Sequence, residues 1–368
     1  MAISPIEAER ILIVRLSALG DVVHTLPLLD ALRRARPRAH IGWLVEEPAA
    51  SLLEGHPQLD RVWIAPRHAA RRLRSVGRPL AAAGRLAEVA RGLRAARYQL
   101  TLDTQCNLRS SLWARASGAG VRIGFAPPFT KEKAHWWSTL RVEAPRDGQL
   151  KAHRNLELLA PLGIDTAGAR PRIAIPDAAR RIADPLRASG ARAIALHPGV
   201  SGFGAIKQWA PDRFAALARR LRDERGARCL VTFGPSERDL ARRVVDASGG
   251  AAELAPETTS LLELAALYEA CDVVVAGDTG PLHLAAALGV PVVGLYGPKD
   301  PAVYGPLDGR SGEPATTVWK HVHCSPCKLR RCPDVICMPA ITVADVAGAI
   351  EHTLDAPPAA AASSGARA

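Results

Sequence analysis

The chain contains 368 residues, of which 48% are hydrophobic and 23% charged, a composition typical of folded proteins and unlike that of disordered chains. Its length accommodates about two domains. Aromatic residues make up only 4%, which disfavours a protein that stacks on single-stranded nucleic acid. No apolar run approaches the roughly 20 residues that span a bilayer, and residues 1–10 lack the apolar core of a signal peptide. We therefore expect a cytoplasmic protein.

The excess of positive charge lies in the N-terminal half. Residues 1–176 contain 27 basic and 15 acidic residues, whereas residues 177–368 contain 21 of each, so the first half carries the whole net charge of +12. An Arg-rich genome would enrich both halves alike. The asymmetry favours an anionic partner for the first half: a nucleic acid, a membrane surface, or a phosphorylated or acidic substrate.

Short β-branched runs alternate with amphipathic segments along the whole chain. In the first half we predict strands at 11–14, 41–45, 62–64, 98–103 and 121–124, with helices at 25–35, 49–54, 80–96, 108–116 and 153–162. In the second half we predict strands at 193–197, 229–233, 273–276 and 290–296, with helices at 211–225, 237–247, 259–270, 280–287 and 343–354. Strands that alternate with helices indicate βαβ units and a parallel sheet.

This pattern predicts an α/β fold of two doubly wound, Rossmann-like domains that face each other across a cleft. We place the domains at 1–176 and 177–355, with a disordered Ala/Pro/Ser tail at 356–368. Ligands of open parallel sheets bind at the carboxyl ends of the strands, so the residues that follow each strand are the candidates for a site.

The segment after the first strand, at residues 16–25, carries an acidic residue, Asp21, at the start of a helix. A carboxylate at this place is either a general base or a helix cap, and capping is the commoner role of a loop Asp. Gly20 permits close approach of a ligand to the backbone, and His24 lies one turn later. These neighbours favour a functional role for Asp21.

Three glycine-bearing segments follow strands of the second half. Residues 197–209 combine glycines with Lys207, which suits a phosphate, although an ordinary flexible loop has the same composition. Residues 277–283 open a helix whose amide groups and dipole attract anions, and His283 on its first turn either points at the same anion or is simply exposed. Residues 296–301 form the third segment. With the segment at 16–25, four strand ends carry glycine together with a charged or polar residue, and their coincidence is stronger evidence than any single segment.

Four clustered cysteines have the spacing C-x2-C-x4-C-x4-C, and they are Cys324, Cys327, Cys332 and Cys337. Four thiolates at this spacing can hold a tetrahedral structural metal, but zinc sites usually pair two CxxC knuckles and the second is missing. The pattern favours a metal-free thiol loop. The sequence also lacks an Asp-x-Asp triplet, so we expect a diphosphate to be held by Lys207, helix N-termini and His283 rather than through Mg²⁺.

Several segments together resemble one enzyme family. The run at 13–27 reads IVRLSALGDVVHTLP and resembles the opening of the lipopolysaccharide heptosyltransferases, glycosyltransferase family 9. The same family has counterparts of DTQ at 103–105 with LRS at 108–110, of FGAIKQW at 203–209, and of GDTGPLH at 277–283 with Gly297-Pro298. The resemblance covers about residues 11–354 in the right order.

The resemblance implies a GT-B fold and an inverting, metal-independent transfer of heptose from ADP-L-glycero-β-D-manno-heptose to the anionic Kdo-bearing inner core of lipopolysaccharide. The N-terminal domain would bind the acceptor and the C-terminal domain the donor. Asp21 would act as general base and Lys207 would stabilise the departing ADP. The family pattern further assigns the donor to His197, Gly199, Gly204, Glu237, Asp278, Thr279, Gly280 and His283, and the acceptor to His24, Gln105 and Arg109. It also implies peripheral contact with the inner face of the cytoplasmic membrane, no nucleic-acid partner and no cofactor.

Two other functions fit part of the pattern. A nucleotide-sugar epimerase or hydrolase of the same architecture would use the donor-side segments without an anionic acceptor. A basic binding protein for nucleic acid would explain the charge but not the glycine-bearing strand ends. The sequence leaves open which of three heptose additions the chain performs, and the cysteine loop and residues 203–205 look slightly more like the second- and third-step enzymes.

Overall fold

The computed structural model describes residues 7–145, 148–200, 202–327, 329 and 331–355. The chain divides into two compact units, with the division between Ala174 and Ile175. The predicted tail at 356–368 lies outside the described residues. Among the residues that the structure does describe, no helix is long and apolar enough to cross a bilayer.

The first unit is built on a six-stranded parallel sheet with helices between the strands. Its strands are β1 (Arg10–Val14), β2 (His40–Glu46), β3 (Arg61–Ala65), β4 (Leu100–Asp103), β5 (Val121–Phe125) and β6 (Leu140–Val142). Its helices are α1 (Leu19–Val23), α2 (Leu26–Ala35), α3 (Glu47–Ala50), α4 (Arg67–Ser75), α5 (Pro79–Ala95), α6 (Leu108–Ala116) and α7 (Lys151–Leu156). The strand order is β3-β2-β1-β4-β5-β6.

The second unit repeats this plan. Its strands are β7 (Ala193–His197), β8 (Arg228–Val231), β9 (Ala252–Leu254), β10 (Val273–Gly277), β11 (Val292–Tyr296) and β12 (Thr317–Trp319). Its helices are α8 (Asp177–Arg180), α9 (Asp184–Ala188), α10 (Pro211–Arg225), α11 (Arg238–Ala247), α12 (Leu261–Glu269), α13 (Gly280–Ala287), α14 (Pro301–Tyr304) and α15 (Val343–Asp355). The order is β12-β11-β10-β7-β8-β9, and all the strand pairs are parallel.

Both sheets reverse their winding direction between their first and fourth strands. In the first unit β1 pairs with β4, and in the second β7 pairs with β10. The connections on either side of such a pair leave in opposite directions, which opens a crevice at the carboxyl ends of the two strands. A ligand site is therefore expected after β1 and β4 in the first unit, and after β7 and β10 in the second.

The predicted alternation of strands and helices is confirmed, with a few corrections. Helix α4 was not predicted because it is Arg-rich and buries only Ala70, so it has no apolar stripe. Strands β6, β9 and β12 were missed because each has three residues at a sheet edge. The helix predicted at 153–162 begins at Lys151 and continues after Leu156 as a 3₁₀ turn that contains Pro161.

Candidate active site

Asp21 lies on the first turn of α1, directly after the carboxyl end of β1. Its Oδ2 is 2.6 Å from Nη2 of the buried Arg15, and its Oδ1 pairs with Nζ of Lys151. The carboxylate also accepts a 3.4 Å hydrogen bond from the amide of Ala18, so it caps the helix as well. Helix α7 carries Lys151 and is held in place because Nδ2 of Asn155 donates to the His24 carbonyl at 3.0 Å. Asp21 is thus held between two cations, Arg15 from the same loop and Lys151 from 130 residues away.

The two cations decide the ionisation of this carboxylate. Burial alone would raise the pKa of Asp21, but the charges of Arg15 and Lys151 outweigh it and hold the pKa well below its usual range. Burial lowers the pKa of Lys151 from 10.5 to about 8, although the charge of Asp21 opposes this change. Asp21 is therefore a fixed carboxylate at neutral pH, and Lys151 loses its proton more readily than an exposed lysine.

The three residues predicted for the acceptor all lie near this edge of the sheet. His24 is buried at the end of α1. Oε1 of Gln105, which follows β4, accepts from the amides of Leu16 and Ser17 at 2.9 and 3.4 Å, so it joins the loops after β1 and β4. Nη1 of Arg109 lies 2.9 Å from Oε1 of Glu46.

Sequence reasoning missed Lys151, Glu46 and Arg67. Glu46 ends β2 with 2% of its side chain exposed, and it also holds Nη1 of Arg67 at 3.2 Å. Lys151 was overlooked because the helix that carries it was predicted to begin two residues later. Glu46 could have been found from the sequence, because it directly follows the strand predicted at 41–45 and residues after strands are the candidates for a site.

The corresponding crevice of the second unit contains a lysine, a carboxylate and a histidine in contact. Nζ of Lys207 is 2.5 Å from Oδ2 of Asp278, and Nε2 of His283 is 3.5 Å from Oδ1. Burial would raise the pKa of Asp278, but the hydrogen bond from His283 and the charge of Lys207 lower it to about 2. The structure therefore brings these three predicted donor residues together.

The start of α13 lies next to this group. The Thr279 hydroxyl donates to the Gly277 carbonyl at 3.2 Å instead of capping the helix, and Pro281 occupies the first turn. Amides of an N-terminus like this one, with its dipole, attract phosphate groups. A side chain at Gly277 would place Cβ 3.2 Å from the Lys207 carbonyl oxygen, so glycine allows the Lys207 segment to approach β10. Gly204 is buried on the 3₁₀ turn that leads to Lys207.

Glu237 lies beside the loop after β7, where it is held by backbone and by His197. Its Oε2 accepts from the Gly234 amide at 2.8 Å and is 3.6 Å from Nε2 of His197. A Cβ at Gly199 would lie 2.3 Å from this carboxyl group, so the approach requires glycine there. His197 is 2% exposed, and its Nδ1 lies 3.0 Å from Oγ1 of Thr232. His197 is thus a buried neighbour of the Glu237 carboxylate.

Comparison with known proteins identifies the family. The sequence profile of glycosyltransferase family 9 (heptosyltransferase) matches residues 86–335. The chain is 30% identical over 331 residues to lipopolysaccharide heptosyltransferase 1 of Pseudomonas aeruginosa, with 88% of this chain and 87% of that protein covered. The chain belongs to glycosyltransferase family 9. Lipopolysaccharide heptosyltransferase 1 of Escherichia coli K12 is also 30% identical, with 80% and 90% covered.

The fold of this family 9 glycosyltransferase is that of a solved heptosyltransferase. The structure of E. coli heptosyltransferase WaaC with ADP matches with a TM-score of 0.75 at 24% identity, covering 94% of this chain and 99% of that one. The predicted class, an α/β GT-B fold of two Rossmann-like units, is confirmed, as is the prediction of a heptosyl-transferring enzyme. Family membership also decides against the nucleic-acid-binding and epimerase alternatives.

The cysteine loop of this family 9 enzyme packs against the segment after β11. The amide of Cys327 donates to the Pro298 carbonyl at 2.8 Å, and a Cβ at Gly297 would lie 2.5 Å from Sδ of Met338 and 3.0 Å from Sγ of the buried Cys337. The Cys332 thiol donates to the Asp334 carbonyl at 3.0 Å. Within the described ranges, no group of three or more His, Cys, Asp or Glu side chains could hold a metal ion. The four cysteines as placed here do not fit a tetrahedral metal site.

Proposed function

We propose that this enzyme transfers heptose from ADP-L-glycero-β-D-manno-heptose to the inner core of lipopolysaccharide, with the acceptor bound by the first unit and the donor by the second. The observation that carries the proposal is the group after β7 and β10: Lys207 lies beside the start of α13, where amides and a cation suit a diphosphate. The net charge of the first half agrees with an anionic acceptor. The named relatives act on lipopolysaccharide, and WaaC was solved with ADP.

In the proposed reaction Asp21 is the general base. The acceptor oxygen forms a bond to the anomeric carbon while the bond to the diphosphate oxygen breaks, so a single displacement inverts the configuration. The hydroxyl proton passes to the Asp21 carboxylate. Because Arg15 and Lys151 weaken the proton affinity of this carboxylate, it accepts the proton late, after bond formation has made the hydroxyl acidic.

The leaving group is ADP, whose negative charge grows as the bond breaks. Lys207 and the amides at Thr279 and Gly280 are the groups that would stabilise it, and the ion pair between Lys207 and Asp278, which precedes these amides in the chain, supports this proposal. This supply of positive charge by the chain itself supports a metal-independent reaction. Glu237, held by His197 and the Gly234 amide, would contact the nucleoside, and Asp278 and His283 would hold the heptose or the phosphates.

For the acceptor we propose the Kdo-bearing core that lacks heptose, so that the enzyme performs the first addition. Both reported relatives of 30% identity are named heptosyltransferase 1, which outweighs the slight likeness of residues 203–205 to later-step enzymes. The acceptor is a lipid, so the enzyme would work at the inner face of the cytoplasmic membrane.

The test is a transfer assay with ADP-heptose, EDTA and three acceptors that carry no, one or two heptoses, analysed by mass spectrometry. We expect addition only to the acceptor without heptose, at a rate that EDTA leaves unchanged, with inverted anomeric configuration by NMR. Transfer to the longer acceptors alone would refute the proposal that the enzyme adds the first heptose. Loss of transfer in EDTA would refute the proposal that the reaction needs no metal ion. ADP release from donor alone, at the rate seen with acceptor, would indicate a hydrolase.

A further inference from the structure

Three arginines converge on a cavity at the amino edge of the first sheet, away from the strand ends that carry Asp21 and Gln105. The cavity has a volume of about 510 Å³. Arg94 comes from the end of α5, Arg115 from the end of α6, and Arg122 from the start of β5. Arg94 precedes β4, Arg115 precedes β5 and Arg122 lies at the start of β5, so the cavity lies at the amino ends of these strands and is separate from the crevice at the carboxyl ends of β1 and β4.

Among the residues that the structure describes, no carboxylate forms an ion pair with these three guanidinium groups. In the described parts of the chain, none of the ion pairs involves Arg94, Arg115 or Arg122. The acidic residue on the preceding turn of α5, Glu88, lies 3.6 Å from Arg85 instead. Like charges that share a site without a counter-ion repel one another, and an anion would relieve this repulsion.

Arg122 is the most enclosed of the three and is held rigidly. Its Nε donates to the Trp137 carbonyl and its Nη1 to the Ala119 carbonyl, both at 2.8 Å. These carbonyl oxygens are neutral and leave the positive charge uncompensated. Burial lowers the pKa of Arg122, and the nearby charge of Arg115 lowers it further. The guanidinium is thus oriented before any ligand arrives, which reduces the entropy cost of binding.

The cavity also has an apolar side. The Arg115 guanidinium lies 5.6 Å from the centre of the Trp137 ring, and Leu112 beside it has 45% of its surface exposed. Guanidinium groups match the oxygens of a phosphate with paired hydrogen bonds, whereas the indole and Leu112 suit a carbon chain or ring. A ligand that fits has a phosphate group joined to an apolar or neutral body.

We propose that Arg94, Arg115 and Arg122 form a second anion site, independent of the donor site, that binds the phosphate of a soluble phosphoester or of an anionic phospholipid headgroup. Binding at this second anion site depends neither on a catalytic role for Asp21 nor on a particular acceptor. The two sources share the same chemistry at the guanidinium groups. They differ in whether the rest of the ligand is in solution or in a bilayer.

The experiment compares the full-length protein with Arg115→Gln and with Arg91→Gln, an exposed arginine on α5 outside the cavity. Inorganic pyrophosphate is titrated calorimetrically at constant ionic strength, and sedimentation is measured with vesicles of phosphatidylglycerol or phosphatidylcholine. The donor site is the same in all three proteins, so a difference between them reports the cavity. Removing one charged hydrogen-bond donor should weaken binding at this site by about tenfold or more.

Weaker pyrophosphate binding by Arg115→Gln, with Arg91→Gln unchanged, supports the site with a soluble ligand. Weaker sedimentation with phosphatidylglycerol vesicles, again only for Arg115→Gln, supports it with a lipid headgroup. Equal behaviour of all three proteins in both assays overturns the proposal. If Arg115→Gln does not fold, the same comparison is made with Arg94→Gln. The side chain of Arg94 is exposed, so we expect this variant to fold.

Discussion

Replacing Asp21 with asparagine tests both its chemistry and the ion cluster around it. From the sequence alone, Asp21→Asn is expected to leave folding nearly intact. The structure changes this expectation, because the substitution leaves Arg15, 3% exposed, and Lys151, 19% exposed, facing each other without the shared carboxylate. Breaking a buried ion pair costs about 3–5 kcal/mol. Asp21 is 28% exposed and asparagine keeps one acceptor oxygen, so we expect the free energy of unfolding to fall by roughly 2–3 kcal/mol.

A double variant separates stability from catalysis. Adding Lys151→Met to Asp21→Asn removes one of the two repelling charges, so most of the lost stability should return. Transfer should stay abolished in both variants, whereas ADP binding in the second unit should be retained. The free energy of unfolding is measured by urea titration, transfer by mass spectrometry and ADP binding by calorimetry. Glu88→Gln, at an exposed pair with Arg85, is the control and should change stability little.

Two results would contradict this reasoning. A wild-type urea midpoint for Asp21→Asn would show that the Arg15–Asp21–Lys151 cluster does not form in solution. Transfer at the wild-type rate by either variant would exclude Asp21 as the base.

Three further predictions concern single side chains. Folding lowers the pKa of Lys151 from 10.5 to about 8, so between these pH values the unfolded chain binds more protons than the folded one. The free energy of unfolding should therefore rise with pH in this range. An equal rise in a Lys151→Met variant would refute this explanation. Lys207→Ala should weaken ADP-heptose binding by roughly 10–100-fold through loss of a charged hydrogen bond, and unchanged calorimetry would remove Lys207 from the site. Gly199→Ala should displace the Glu237 carboxylate and lower the affinity for ADP. The loss of stability should be small, because only the end of a flexible side chain must move. An ADP affinity equal to that of the wild type would contradict this prediction.

Much of the proposed donor site could be predicted from the sequence because its groups follow strands that the apolar pattern reveals. Lys207 and Asp278 are far apart in the chain, yet Lys207 ends the loop that follows β7 and Asp278 comes directly after β10, and both strands belong to one parallel sheet. The role of His197 in the donor site stays a prediction; in the structure this histidine is buried, with Nδ1 3.0 Å from Oγ1 of Thr232. Composition does not distinguish a histidine that contacts a ligand from one that supports a neighbouring carboxylate.

The sequence by itself determined the two α/β halves, the place of Asp21 after β1, and the glycine- and proline-bearing start of α13, because these depend on hydrophobic period and on residues close together in the chain. Only the tertiary structure decided what Asp21 contacts. Lys151 reaches it from 130 residues away through the packing of α7 on α2, and no local pattern records such a contact. The cavity formed by Arg94, Arg115 and Arg122 likewise depends on three elements that meet only when the sheet order is set. Long-range charge contacts follow from topology, and topology is settled by burial of the whole sheet.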